Sequence, residues 1–166
     1  DNLLESEDTL STINILRKLG IKIKKIKNYW VINGNGVGGF IEPITALDCG
    51  NSGTTARLML GAVSSNPINC TLIGDKSLSK RSMSRVTDYL EKIGASVNLT
   101  NDDYLPAFVS GSNNLIASNH LINKPSAQVK SAMMIAALNI KGRTIITEKI
   151  QTRDHTEKLM NFLKIK

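Results

Sequence analysis

The chain has little of what would mark a secreted, zinc-dependent or membrane protein. Cys49, Cys70, His120 and His155 are its complete set of cysteines and histidines in 166 residues. Two isolated cysteines that form no CxxC pair exclude a disulfide framework and predict no metal site; they suit a reducing, cytoplasmic setting. No apolar run approaches membrane-spanning length, and the acidic start Asp1–Asp8 is unlike a signal peptide, so no membrane association is expected. Aromatic side chains make up 4% of the sequence, with no RNP-like stacking pair and no zinc-finger spacing, which argues against a nucleic-acid interface.

What the chain does have is positive charge and a core. Lys and Arg exceed Asp and Glu by 21 to 14, and 41% of residues are hydrophobic, enough for one domain or part of a larger one. A net charge of +7 favours anionic partners without choosing among phosphorylated metabolites, nucleic acid and acidic lipid. Much of the excess lies in Ile21–Lys27, where Lys alternates with Ile. That alternation predicts a half-buried strand with a solvated basic face.

The chain repeats itself. An amphipathic helix from Asp8 ends at Gly20, followed by strand Ile21–Ile26, a turn at Lys27-Asn28 and strand Tyr29–Ile32. A second helix, Ser84–Gly94, precedes strand Ala95–Leu99, the turn Asn101–Asp103 and strand Ala107–Val109, and a third begins at Asp154. Strand–helix segments join these units, so an α/β fold built on helix–strand–strand repeats is predicted. The first unit lacks the strand–helix segment that precedes the second, and the third lacks two following strands. The expectation is therefore an incomplete domain spanning residues 1–166.

Both joining segments read as anion sites. Leu47-Asp48-Cys49-Gly50-Asn51-Ser52-Gly53-Thr54-Thr55 runs from a short strand into a polar turn and then the helical stretch Ala56–Val63. Lys124-Pro125-Ser126-Ala127-Gln128 runs into the helical stretch Val129–Leu138. Such junctions aim free backbone N–H groups and a helix dipole at whatever lies in front, and Gly53 allows close approach. Taken alone, each is equally an ordinary cap, with Asn51, Ser52, Thr54 or Ser126 satisfying orphan N–H groups. Arg57, one turn into its helix, is either a further anion ligand or a structural arginine bonding carbonyls or a carboxylate such as Asp48. His155 is expected as a surface or packing residue, and Met133 and Met134 as core.

Four segments together resemble the N-terminal domain of the EPSP synthase family. They are Leu47–Leu60, Gly74–Arg81, Ser126–Ala132 and Arg153–Glu157, in the family's order and spacing. The resemblance implies repeated βαβαββ units of the enolpyruvyl transferase inside-out barrel, here one partial domain without the C-terminal domain. It implies enolpyruvyl transfer from phosphoenolpyruvate to the 5-hydroxyl of shikimate 3-phosphate, in aromatic amino acid biosynthesis, through a tetrahedral phosphorylated intermediate and without cofactor or metal. By the same resemblance Ser126, Ala127, Gln128, Thr152 and Arg153 hold shikimate 3-phosphate. Asn51, Gly53, Arg81 and Gln128 meet phosphoenolpyruvate, and the size of residue 53 is tied to whether glyphosate shares the pocket. No catalytic acid or base is carried over onto this chain, so it is expected to bind substrates without turning them over.

The chain departs from the family pattern at Ser82 and Ser84, where Pro and Gly are common, and this should leave the loop presenting Arg81 less constrained. Thr152 replaces a commoner Ser and keeps the hydroxyl. Two alternatives stay open. One is the related UDP-N-acetylglucosamine enolpyruvyl transferase, which usually carries a reactive Cys in the loop matching Gly74–Met83, where this chain has none. The other is a non-catalytic basic module that binds nucleic acid.

Overall fold

Local sequence sets the first helix. In the computed structural model, which describes residues 3–165 and leaves Asp1, Asn2 and Lys166 outside, α1 spans Glu7–Lys18. The Thr9 N–H donates to the Ser6 hydroxyl at 3.3 Å, Glu7 and Asp8 face the positive end of the dipole, and Gly20 closes the helix at φ +88°. Strands β1 (Lys22–Ile26) and β2 (Tyr29–Asn33) follow as an antiparallel hairpin. Ile21 and Ile23 are buried with Ile13 beneath the hairpin while Lys22 and Lys24 stay in water, as the alternation predicts.

The middle of the chain carries one full βαβαββ run: β3 (Leu47–Asp48), α2 (Gly53–Ser64), β4 (Asn69–Ile73), α3 (Ser84–Glu91), β5 (Ser96–Thr100) and β6 (Tyr104–Ser110). These strands form a mixed sheet in the order β3-β4-β6-β5, with β3 and β4 parallel and the others antiparallel. Residues alternate across it, so Leu105, Ala107 and Val109 are buried while Phe108 between them is 54% exposed. A second parallel pair, β7 (Asn119–Ile122) and β8 (Ile145–Glu148), flanks α4 (Ala127–Ala137), and α5 (His155–Phe162) follows. Among the described residues no helix is long and apolar enough to cross a membrane.

Helix α2 is the centre of the core. Ala56, Leu60 and Val63 are fully buried with Leu47, Leu72, Leu90, Ala132 and Met133, each large aliphatic side chain contributing about 1.5–3 kcal/mol. Met134 is only half-buried, unlike Met133. Helices α2 and α4 run in the same direction: Thr54 meets Gln128 at their starts, and the Asn139 amide donates to the Ser65 carbonyl at 3.1 Å past their ends. Between these points Gly61 lies on the α4 backbone, where a Cβ would stand 2.2 Å from the Ala132 carbonyl oxygen. Only a residue without a side chain permits that approach.

The loop that carries Arg81 is held, against the expectation that Ser82 and Ser84 would loosen it. The Ser82 hydroxyl donates to the Asp103 carboxylate at 2.6 Å, the Ser84 N–H donates to the same oxygen at 3.2 Å, and the Met83 N–H donates to the Asp103 carbonyl at 2.7 Å. Upstream, Asp75 accepts the N–H groups of Ser77 and Leu78 at 2.9 and 2.7 Å and so caps a short 3₁₀ turn at Leu78–Lys80. Long-range hydrogen bonds take the place of proline's backbone restriction.

Two outcomes follow from these contacts. Gly61→Ala should force α2 from α4 and lower stability by about 1–3 kcal/mol, read as a fall in the urea midpoint; an unchanged midpoint would mean that the contact constrains nothing. The hydroxyls of Ser82 and Ser84 hold the Asp103 carboxyl below its ordinary value of 3.8. A carboxyl depressed on folding adds stability that is complete above its unfolded pKa of about 4 and is lost as pH falls through the folded value. Asp103→Asn should therefore be less stable than the unaltered chain at pH 6 and lose less on going to pH 3; equal losses would remove Asp103 from the account.

Candidate functional site

Helices α2 and α4 begin in the same way. Ser52 accepts the Thr55 N–H at 3.1 Å, and Ser126 accepts the Val129 N–H at 3.3 Å. The next N–H groups, of Ala56 and Lys130, donate to the carbonyls of Ser52 and Ser126 at 3.0 and 3.1 Å. This leaves the N–H groups of Gly53 and Thr54 on one helix, and of Ala127 and Gln128 on the other, outside the intrahelical ladder. Because the helices are parallel, both sets lie at one edge. No acidic residue stands in the first turn of α2, α3 or α4, whereas α1 carries Glu7 and Asp8 and α5 carries Glu157. Asp103 meets the start of α3 from another segment, through the Ser84 N–H, so it is the positive ends of α2 and α4 that are left without a side-chain counter-charge.

Arg57 joins them. One guanidinium nitrogen donates to Gln128 Oε1 at 2.8 Å and the other to the Ser82 carbonyl, just before α3, at 2.8 Å. Asp48 is not its partner, since that carboxylate accepts the Gly50 N–H at 2.8 Å. The Gln128 amide in turn donates to the Thr54 hydroxyl at 2.9 Å, which fixes the amide's orientation. Burial first, and then the charges of Arg85 and Arg81, push the Arg57 pKa down. A half-buried cation with cationic neighbours is a place where an anion relieves repulsion.

Beside it sit Asn51, Gly53 and Arg81. Arg81 donates to the Asn51 carbonyl at 3.3 Å, to Asn51 Oδ1 at 2.5 Å and to the Ser77 hydroxyl at 3.3 Å. The Asn51 amide donates to Asp75 at 2.6 Å, so the guanidinium is tethered through Asn51 to the loop that carries it and keeps N–H groups to spare. A Cβ at Gly53 would lie 3.0 Å from Arg57 Nη1 and 3.4 Å from Arg81 Nη1. Gly53 thus separates the two guanidinium groups, and a methyl there would press on both.

A cavity of about 230 Å³ opens on the other side of Gln128, lined by Thr54, Leu58, Ala127, Gln128, Ser131, Arg153, His155 and Thr156. Ala127, Gln128 and Arg153 therefore meet around one space. Ser126 and Thr152 are placed differently: the Ser126 oxygen caps α4, and the Thr152 hydroxyl is turned to Glu148 Oε1. His155 is exposed, as expected. Cys49 and Cys70 are buried and free, and burial pushes their thiols up to about 12 and about 11, so neither is a ready nucleophile. Among the described residues no group of three or more His, Cys, Asp or Glu side chains is arranged to hold a metal ion.

Sequence reasoning named Thr54 only within the first junction and as a candidate cap, and missed its bond to Gln128, the Ser82 carbonyl and the Asp75 tether, which only tertiary proximity reveals. It also missed Lys130, which is 4% exposed within α4 and pairs with Glu148 and Glu157 at 2.7 and 2.5 Å. The available signal was a lysine on the apolar face of a helix whose neighbours are Val129, Ala132 and Met133.

Known proteins share the sequence and fold of this chain. A sequence model of the family described as EPSP synthase (3-phosphoshikimate 1-carboxyvinyltransferase) matches residues 1–166. The chain is 47% identical over 161 residues to the 3-phosphoshikimate 1-carboxyvinyltransferase of Bacillus cytotoxicus, covering 96% of this chain and 38% of that protein. It is 43% identical over 159 residues to the protein of the same name from Paracoccus denitrificans, covering 95% and 36%. The solved structure of EPSP synthase from Acinetobacter baumannii superposes with a TM-score of 0.90 at 38% identity, over 96% of this chain and 36% of that one. The chain thus spans somewhat over a third of the length of these relatives. With its whole length matched and the α/β architecture shared, the chain belongs to the EPSP synthase (3-phosphoshikimate 1-carboxyvinyltransferase) family.

Proposed function

We propose that the chain supplies part of the substrate surface of an enzyme that joins the enolpyruvyl group of phosphoenolpyruvate to the 5-hydroxyl of shikimate 3-phosphate, in the cytoplasm and on the route to aromatic amino acids. The observation that carries this reading is the junction at Arg57, where the acid-free starts of α2 and α4 are tied together through Gln128 and joined to the loop before α3 through the Ser82 carbonyl. Two phosphorylated substrates, each of them also a carboxylate, match that unbalanced positive charge.

In this reading Ser126, Ala127 and Gln128 at the start of α4 take the phosphate of shikimate 3-phosphate, with Arg153 across the cavity and Thr152 behind it. Gly53, Asn51 and Arg81 take phosphoenolpyruvate, since a guanidinium fork fits a carboxylate or phosphate in two-point fashion. Gln128 stands between the two groups and reaches both. The reaction adds the 5-hydroxyl oxygen to C2 of phosphoenolpyruvate as a base takes the hydroxyl proton and an acid protonates C3; a base then removes a proton from C3 as phosphate leaves from C2, which restores the C2–C3 double bond. This chain's part is to bind and orient, and to begin the water-excluded surroundings in which such charge is stabilised. The acid and base are proposed to lie in the remainder of the enzyme.

Titration with shikimate 3-phosphate, with shikimate, inorganic phosphate and UDP-N-acetylglucosamine as controls, tests the reading. Saturable binding that needs the phosphate ester is expected, weakened about tenfold or more by Gln128→Ala, the size of a lost hydrogen bond to a charged group. A cooperatively folded chain that ignores the ester, or binds it equally well without Gln128, would defeat the assignment. With both substrates present, the chain alone should release no phosphate above background.

A further inference from the structure

The loop that brings Arg153 to the cavity is attached to α4 almost entirely by polar contacts. No residue of α5 is buried, and Leu159 and Phe162 are 56% and 81% exposed, so apolar packing does little to dock this helix. Lys130 does more. Its side chain is 5% exposed, and its ammonium meets Glu148 at the end of β8 and Glu157 in the first turn of α5. Glu148 also accepts the Thr152 N–H at 3.4 Å and the Thr152 hydroxyl. A fourth contact, between the Ser131 and Thr156 hydroxyls at 2.6 Å, lies one residue along α4.

We infer that Lys130 is a positioning residue for the anion site: by holding Glu148 and Glu157 it fixes the 149–154 loop so that Arg153 faces Ala127 and Gln128 across the cavity. This rests on the reading of that cavity as a phosphate-ester site. The charge arithmetic supports a cation with a task beyond packing. Two carboxylates on one ammonium leave a net negative group behind a site that is to receive an anion, and Glu157 Oε2 is buried with no hydrogen-bond partner among the described residues. Filling the same volume with an apolar side chain and neutral amides would give comparable stability without that burden. What such a replacement lacks is direction, because two ion pairs, one from the end of β8 and one from α5, converge on one ammonium.

Lys130→Met tests this, together with the triple variant Lys130→Met, Glu148→Gln, Glu157→Gln, which carries no unpaired buried charge. In the single variant, amide exchange should accelerate at least tenfold across 149–158 while the amides of α2, β4 and β6 keep their protection. The triple variant should regain the urea midpoint of the unaltered chain but still bind shikimate 3-phosphate about tenfold or more weakly, since small misplacements of a binding group are costly. Unchanged exchange at 149–158 would overturn the inference, as would a triple variant that recovers affinity together with stability. Should Lys130→Met fail to fold, the triple variant alone gives both readings. Should the unaltered chain not bind shikimate 3-phosphate, the function proposed above falls, and local exchange decides by itself whether Lys130 positions the loop.

Discussion

Everything at the candidate site depends on one close contact, the seat of Gly61 on the backbone of Ala132. It lets two buried helices run side by side in the same direction, an arrangement that costs electrostatic energy because like ends of their dipoles are brought together. Antiparallel helices would have cancelled this. The fold accepts the cost because two parallel strand–helix–strand crossovers, β3-α2-β4 and β7-α4-β8, deliver both helices to the same side of their strands with their starts aligned. The result is an edge with four free N–H groups and no acidic residue to quench them.

Arg57 makes that edge a unit. A cation at the positive end of a helix is unfavourable, and here the neighbouring charges are Arg81 and Arg85. Its hydrogen bonds go to an amide and a carbonyl, both neutral, so they orient the guanidinium without cancelling its charge. The contrast with Lys130 is instructive. That lysine, two residues after Gln128 in α4, is neutralised twice over by Glu148 and Glu157. One cation is therefore balanced within the protein and used to set geometry, while the other is left unbalanced where substrate would arrive.

Most of the fold was legible because its determinants are local. Ser52 and Ser126 stand as caps immediately before their helices, the Lys–Ile alternation of β1 reports which side faces water, and Gly20 ends α1 where a positive φ is needed. Some boundaries were misjudged for an equally physical reason. Helix α2 begins at Gly53 rather than Ala56, because the Ser52 cap offsets the poor helix propensity of the glycine and threonines that follow. Strand β8 went unread, since it is four residues long and gains its order from pairing with β7. The site was legible in outline only: the segments around Gly53, Arg81 and Gln128 were identified, but the bonds that join them connect residues 24 to 74 positions apart. No local pattern encodes such pairs.

The loop of Arg81 shows how a departure from a family pattern is absorbed. Proline restrains a loop by narrowing the conformations of the unfolded chain as well as the folded one, and its effect is indifferent to pH. Ser82 and Ser84 offer no such restriction, so the restraint has to come from the folded state, and Asp103 provides it from the turn between β5 and β6. The Arg81 loop is thereby coupled to the sheet edge in a way that a proline would not require. Asp75 does the same at the other end, capping the turn before Arg81 while holding the Asn51 amide that aligns its guanidinium. Two carboxylates at the ends of the loop thus leave the arginine itself without an ion pair among the described residues, and its charge stays available to an incoming anion.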